Sequence, residues 1–180
     1  MARQTEVMLL LILATAATVF ADVVNPETAA DFDQIVKESK ERRVDSKCST
    51  CCPNGWVKYE RRCFLYQAAM DWASAEKRCL DLGAHLVSIQ NEREYQLVKA
   101  VIRAHDPREN PTWIGLNACQ KKYFFFWSDG TKLTYTKWNP NEPNFNNREC
   151  CVHMNWSGSK NWNDIPCDHS YPFVCAKSIY

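Results

Sequence analysis

Ten cysteines, all lying between Cys48 and Cys175 of a 180-residue chain, constrain this sequence more than any other feature. Whether they are thiols or bridges depends on the compartment, and the N-terminus bears on that. Arg3 precedes an apolar run from Val7 to Phe20, and Val19-Phe20-Ala21 fits the small-residue rule for cleavage before Asp22. Spanning a bilayer takes roughly 20 apolar residues, more than this run supplies. A cleaved signal peptide over residues 1–21 is therefore preferred to a retained anchor, and the expected localisation is secreted and extracellular. In an oxidising compartment bridges form and persist, so the cysteines read as a disulfide framework.

A hydrophobic content of 46% with 12% aromatics is enough for one packed domain. The formal charge of +1, with Lys and Arg scattered among Asp and Glu, gives no general reason to expect nucleic acid or an anionic membrane as partner. Residues 22–47 hold no cysteine, a single phenylalanine and many charges. They read as a polar spacer or pro-segment with Arg42-Arg43 as a cutting point. The alternative is a short helix used for oligomerisation, opened by Asn25-Pro26 and carrying the stripe Ala29, Phe32, Ile35 and Val36. The domain proper is expected over residues 48–180.

Within it, Trp56 to Tyr66 suggests a hairpin. Asp71 N-caps a helix through Leu82 that Gly83 stops, and Asn91 with Glu94 opens a second helix bearing Tyr95, Val98 and Ile102 and ending before Pro107. Strands are predicted over 84–89, 112–116, 123–127, 133–138, 151–155 and 173–176, with a turn at Asp129-Gly130 and Trp162 near another strand. Two helices followed by a twisted antiparallel sheet make an α+β fold with a long loop region.

Between Trp138 and Cys167 the chain gathers Glu142, Asn144, Glu149, Asn163 and Asp164, and the only formal cations there are Arg148 and Lys160. Calcium takes six to eight oxygen ligands from carboxylates, carbonyls and water, so these side chains suit a partly filled Ca²⁺ shell whose remaining places a ligand can complete.

Cys52-Pro53 with Trp56, Cys79, Trp113-Ile114-Gly115-Leu116, Glu142-Pro143-Asn144, Trp162-Asn163-Asp164, Cys167 and Cys175 occur in an order that resembles the C-type lectin-like domain over Cys52 to Lys177. The resemblance implies that the five oxygen donors hold one Ca²⁺ and that the Pro143 peptide is cis. Two vicinal sugar hydroxyls would complete the shell, with Asn144 and Asn163 donating hydrogen bonds to them and Glu142 and Glu149 accepting. The Glu-Pro-Asn order goes with mannose-type sugars (mannose, N-acetylglucosamine, fucose). Here, however, the loop from Asn144 to Glu149 is a residue shorter than in typical mannose-binding members, and Phe145 either touches the sugar or obstructs it. Cys150 stands where members with an auxiliary calcium carry an acid, so one functional ion is expected.

Sequence alone does not select disulfide partners. The resemblance implies Cys52–Cys63, Cys79–Cys175, Cys151–Cys167 and, as in fish lectins related to type II antifreeze proteins, Cys119–Cys150. Cys48 and Cys51 then either pair locally or link subunits into a homo-oligomer. Trp162 is expected in the core, and Cys48-Ser49-Thr50-Cys51 as disulfide rather than redox chemistry. His85, His105, His153 and His169 lack metal spacing, and no nucleophile–base pairing suggests an enzyme. Asn155-Trp156-Ser157 is a formal glycosylation sequon expected to be unoccupied. The functional expectation is a calcium-dependent, mannose-type lectin of microbial glycans, the microbial part resting on resemblance. The alternatives are a type II antifreeze protein and a venom-type protein-binding domain with structural calcium.

Overall fold

The computed structural model describes residues 28–41 and 51–179. The signal segment, Asn25-Pro26, Arg42-Arg43 and Cys48 lie outside the described residues. Helix α1 (Ala29–Glu41) is capped by a reciprocal box. The Asp31 amide donates to Thr28 Oγ1 at 3.3 Å, and the Thr28 amide donates to Asp31 Oδ2 at 2.9 Å. Its apolar stripe buries Phe32 and Val36, with the Phe32 ring 5.9 Å from Tyr59 and Asp33 paired to Arg103 at 2.7 Å. Residues 29–41 of the expected spacer are thus a helix seated on the domain, because two large apolar side chains one turn apart gain more by burial than by solvation.

Helices α2 (Trp72–Asp81) and α3 (Glu92–Arg103) start where their caps predict. Asp71 accepts from the Ser74 amide, and Asn91 accepts from the Glu94 amide. Glu94 completes the second cap by accepting from the Gln90 amide at 2.8 Å. Gly83, at φ +65, takes the left-handed turn that ends α2.

The strands are β1 (Val57–Tyr59), β2 (Arg62–Met70), β3 (His85–Leu86), β4 (Thr112–Asn117), β5 (Phe126–Trp127), β6 (Cys151–Trp156), β7 (Asn161–Ile165) and β8 (Tyr171–Ser178). They form one sheet in the order β1-β2-β8-β4-β6-β7, with β3 on β8 and β5 on β4. The domain holds the two helices expected of it, and the third among the described residues is the one over Ala29–Glu41. One expectation is corrected: the sheet is mixed rather than antiparallel, because β8 runs parallel to β4 through Trp113 and Phe173. The last strand inserts between the first hairpin and the central strand, a placement that no short-range pattern encodes.

Three predicted strands shrink. Only His85–Leu86 pairs in the first, and the Val87 backbone instead bridges elements, its amide donating to Val174 and its carbonyl accepting from Gly115. Gly115 is required at that crossing, since a Cβ there would sit 2.6 Å from the Leu86 carbonyl oxygen. Only Phe126–Trp127 remains of the 123–127 strand. Residues 133–138 form no strand and keep one bridge, Trp138 to Trp162. Their aromatic rings pack into the core without a ladder.

The four bridges form as expected: Cys52–Cys63, Cys79–Cys175, Cys119–Cys150 and Cys151–Cys167. Cys51 is also disulfide-bonded. The Cys79–Cys175 bridge closes the longest of the four loops, 96 residues, and restricts the unfolded chain most, in a range where bridges contribute about 2–4 kcal/mol each.

Because Phe32 is buried against Tyr59, Phe32→Ala is expected to destabilise the chain by about 3 kcal/mol or more. Equilibrium urea unfolding measures this, and a change within about 0.5 kcal/mol would mean that α1 is a solvated appendage.

Candidate functional site

The site is built where the irregular segment 139–149 meets the β6–β7 hairpin. Asn139 stitches the two together, its backbone amide donating to the Trp162 carbonyl at 2.9 Å and its side-chain Nδ2 donating to the same oxygen at 3.0 Å. Trp162 is buried beneath, as expected, and meets Trp127, Tyr135 and Trp138 edge-on at centroid separations of 5.8 to 5.9 Å. Asn141 turns the chain at φ +67, and the Glu142-Pro143 peptide is cis, as the resemblance implied.

Asp164, fully buried on β7, fastens the loop: its Oδ1 accepts from the Asn144 amide at 3.0 Å and its Oδ2 from the Phe145 amide at 2.8 Å. The Asn146 amide is shared, donating to Asn144 Oδ1 at 2.8 Å and to Glu149 Oε2 at 3.0 Å. Glu142 Oε2 is buried with no hydrogen-bond partner. Four of the five residues singled out from sequence are therefore joined by hydrogen bonds or by electrostatic contact. The fifth, Asn163, directs its Nδ2 to His153 Nε2 at 3.0 Å.

His153 is the residue that sequence reasoning missed. It faces Asn163 across the hairpin, is fully buried, and stacks on Tyr171 at 5.2 Å. Burial, with His169 adding to it, pushes its pKa down to about 3. The neutral Nε2 accepts from the Asn163 amide and fixes which way that amide points. The signal was the register of the β6–β7 pair, which is visible only once the strands are placed.

The electrostatics are those of crowded, partly buried carboxyls. Burial raises the Glu142 carboxyl above the usual carboxylate range, and Asp164 and Glu149 add to this against the opposing Asn144 hydrogen bond. Burial, together with the charge of Asp164, raises Glu149 in the same direction. An orphaned buried oxygen among like charges is what a bound divalent ion would satisfy, and hard carboxylate and amide oxygens suit Ca²⁺. The one group of three or more His, Cys, Asp or Glu ligand atoms that lie within 4.8 Å of one another among the described residues, Cys119, Cys150, Cys151 and Cys167, is consumed in two bridges and offers no thiolate.

The family model for the lectin C-type domain matches residues 68–177. The chain belongs to the C-type lectin family. The lectin domain is 41% identical over 134 residues to lactose-binding lectin l-2 of Anguilla japonica, covering 71% of this chain and 79% of that protein. It is 37% identical over 142 residues to a type-2 ice-structuring protein of Osmerus mordax, covering 78% and 79%. The solved structure of herring type II antifreeze protein superposes with a TM-score of 0.68 at 36% identity, covering 72% of this chain and all of that one. Its relatives are lectins and antifreeze proteins, so the domain is a binding module and not an enzyme. Among the described residues no helix is long and apolar enough to cross a membrane. Asn155 of the sequon is buried, its Nδ2 directed at the Asn110 carbonyl oxygen at 3.5 Å.

Glu142 and Glu149 carry folded-state pKa values above their unfolded ones. Above those values the folded chain holds charges that disfavour it, and as pH falls toward 4.5 the folded state takes up protons first and gains stability. Glu92 and Glu109 work oppositely. Their burial is outweighed by hydrogen bonds and cations, and their contribution is lost only below the usual range. His153, held neutral far below its unfolded value, pulls the other way, costing stability as pH falls below 6.5, so the readout is a difference: in chelator, the melting temperature of the wild type relative to that of Glu149→Gln is expected to rise as pH falls through the window just above 4.5. A difference that stays constant or shrinks across the window would contradict this electrostatic reading.

Proposed function

We propose that this lectin is a secreted, calcium-dependent carbohydrate-binding protein with mannose-type preference that recognises glycans of microbial surfaces. The observation that carries the calcium part is the buried Glu142 Oε2 without a partner, beside Asp164 and Asn144. Glu142, Asn144, Glu149, Asn163 and Asp164 would hold the ion, which supplies coordination places for two vicinal hydroxyls.

The chain's own groups do the orienting. The Asn163 NH₂ has two protons: His153 Nε2 takes one, and the other is left for a hydroxyl oxygen. The Asn144 carbonyl is held by the Asn146 amide, which leaves its NH₂ as a second donor. Glu149 keeps one oxygen beyond the one held by Asn146, and Glu142 offers its unpartnered Oε2; these accept the hydroxyl protons. A diol so bound has every hydrogen-bonding valence met, which offsets the loss of its water. The order of acceptor at Glu142 and donor at Asn144 favours mannose-type diols. The lactose named for the Anguilla japonica relative is the competing sugar.

Mannose resin in millimolar Ca²⁺ tests the reading. Retention, elution by EDTA and by methyl α-mannoside but not by lactose, and a preference moved toward lactose by Glu142→Gln/Asn144→Asp are the expected results. Retention that ignores EDTA would end the calcium proposal, and elution by lactose alone would end the mannose assignment.

Ice binding is the second reading. It is favoured by the Osmerus mordax and herring relatives and by the Cys119–Cys150 bridge, whose parallel lies in such proteins. Thermal hysteresis with and without Ca²⁺ separates the two, since a lectin alone leaves the freezing point unshifted.

A further inference from the structure

Beside the calcium loop runs Lys121-Lys122-Tyr123-Phe124-Phe125-Phe126-Trp127, and no acidic residue lies between Cys119 and Ser128. Its side chains divide by direction. Phe125 packs inward, 5.0 Å from Trp138 and 5.5 Å from Phe145, and Trp127 is buried against Trp162. Tyr123, Phe124 and Phe126 stand out at 69%, 52% and 52% exposure, half of the six large hydrophobic side chains exposed among the described residues.

The projection is enforced. The Cys119–Cys150 bridge ties down the start of the segment, a turn closes from the Phe124 amide to the Lys121 carbonyl at 3.0 Å, and Tyr123 holds φ +71, a conformation that a bulky residue adopts only when its surroundings impose it. Lys121 Nζ lies 4.3 Å from the Phe124 ring centre and Lys122 Nζ 5.1 Å from that of Tyr123. Both lysines are exposed, and neither joins an ion pair among the described residues.

We infer that this segment is a docking surface for an anionic phospholipid bilayer. Aromatic rings with an apolar body and a wet edge partition to the bilayer interface, and neighbouring lysines bind anionic headgroups while their stems stay on apolar ground. A protein partner fits less well. Three rings of 150–250 Å² each, half to two-thirds exposed, present on the order of 300–400 Å², whereas a stable protein interface takes about 800 Å² per side and is depleted in lysine. The whole-chain charge of +1 conceals this patch because it averages over the acidic calcium loop. Tyr123 and Phe145 touch at 4.7 Å, so a chain docked here holds its calcium loop next to the surface it rests on.

The test uses the full oxidised chain and vesicles free of any sugar, in EDTA, so that it is independent of the lectin reading. Vesicles of phosphatidylcholine alone are compared by flotation with vesicles carrying a third of phosphatidylglycerol. Preferential flotation with the anionic vesicles is expected, weakening at high salt. Phe124→Ser/Phe126→Ser is expected to lower partitioning about tenfold, and Lys121→Glu/Lys122→Glu to remove the preference for the anionic vesicles. Near-UV circular dichroism confirms that each variant is folded, and the lysine variant carries the test if the phenylalanine variant is not. Equal flotation on both vesicle types, or folded variants that float like the wild type, would overturn the inference.

Discussion

The site hangs on the Asp164 carboxylate. A buried charge is expensive unless its oxygens are hydrogen-bonded or metal-bound, and here each oxygen takes a backbone amide from the loop, one from Asn144 and one from Phe145. The strand that carries Asp164 is fixed by Trp162 in the core, so the loop is positioned by contact with the most rigid part of the molecule. The cis Glu142-Pro143 peptide and the left-handed turn at Asn141 bring the Glu142 side chain and the Asn144 backbone amide to the same carboxylate. Without Asp164 the Asn144 and Phe145 amides would lose their acceptors, and the loop would have no reason to stay on β7.

Around that contact, bridges and rings substitute for secondary structure. Between β5 and β6 the only helical element is the short 3₁₀ turn Asn146–Arg148. The segment is held by Asn139 on Trp162, by the Phe125, Trp138 and Phe145 rings, and by Cys150 and Cys151, adjacent in sequence and bridged to Cys119 and Cys167. Both bridges begin one or two residues after Glu149, so a side chain that has no regular element of its own is still fixed in place. Binding surfaces are commonly loops on a rigid scaffold, and here the scaffold reaches into the loop by covalent bonds.

How much was legible follows the range of the interaction that encodes each feature. Asp71 and Asn91 announce their helices because a cap is a contact over three residues, and the candidate site residues Glu142, Asn144 and Glu149 stand close enough in sequence to be seen together. The parallel pairing of β8 with β4 was not legible, since Trp113 and Phe173 carry no mark of each other. The stretch 133–138 misled because Leu133, Tyr135 and Trp138 pack against the core without making a ladder, so period-2 apolarity appears with no strand. Helix α1 was half legible: Phe32 and Val36 were in the stripe, but the Thr28–Asp31 cap was overlooked beside the more obvious Asn25-Pro26. The contact of His153 with Asn163 was not legible, because it exists only through the register that sets the two residues opposite each other.

The raised carboxyls at Glu142 and Glu149 show that the site works against the fold that carries it. A group whose charged form is disfavoured in the folded state lowers stability at neutral pH, by an amount that the proposed bound cation would return. The rest of the chain must hold the folded state meanwhile, and the four bridges with the buried Trp113, Trp162 and Phe173 lie where that burden falls, joining helix to sheet and loop to strand. Packing the loop with apolar side chains would relieve the repulsion, but it would also remove the oxygens. An acidic cluster of this kind is therefore compatible only with a scaffold whose stability comes from elsewhere, which accounts for a chain of this size being so densely bridged.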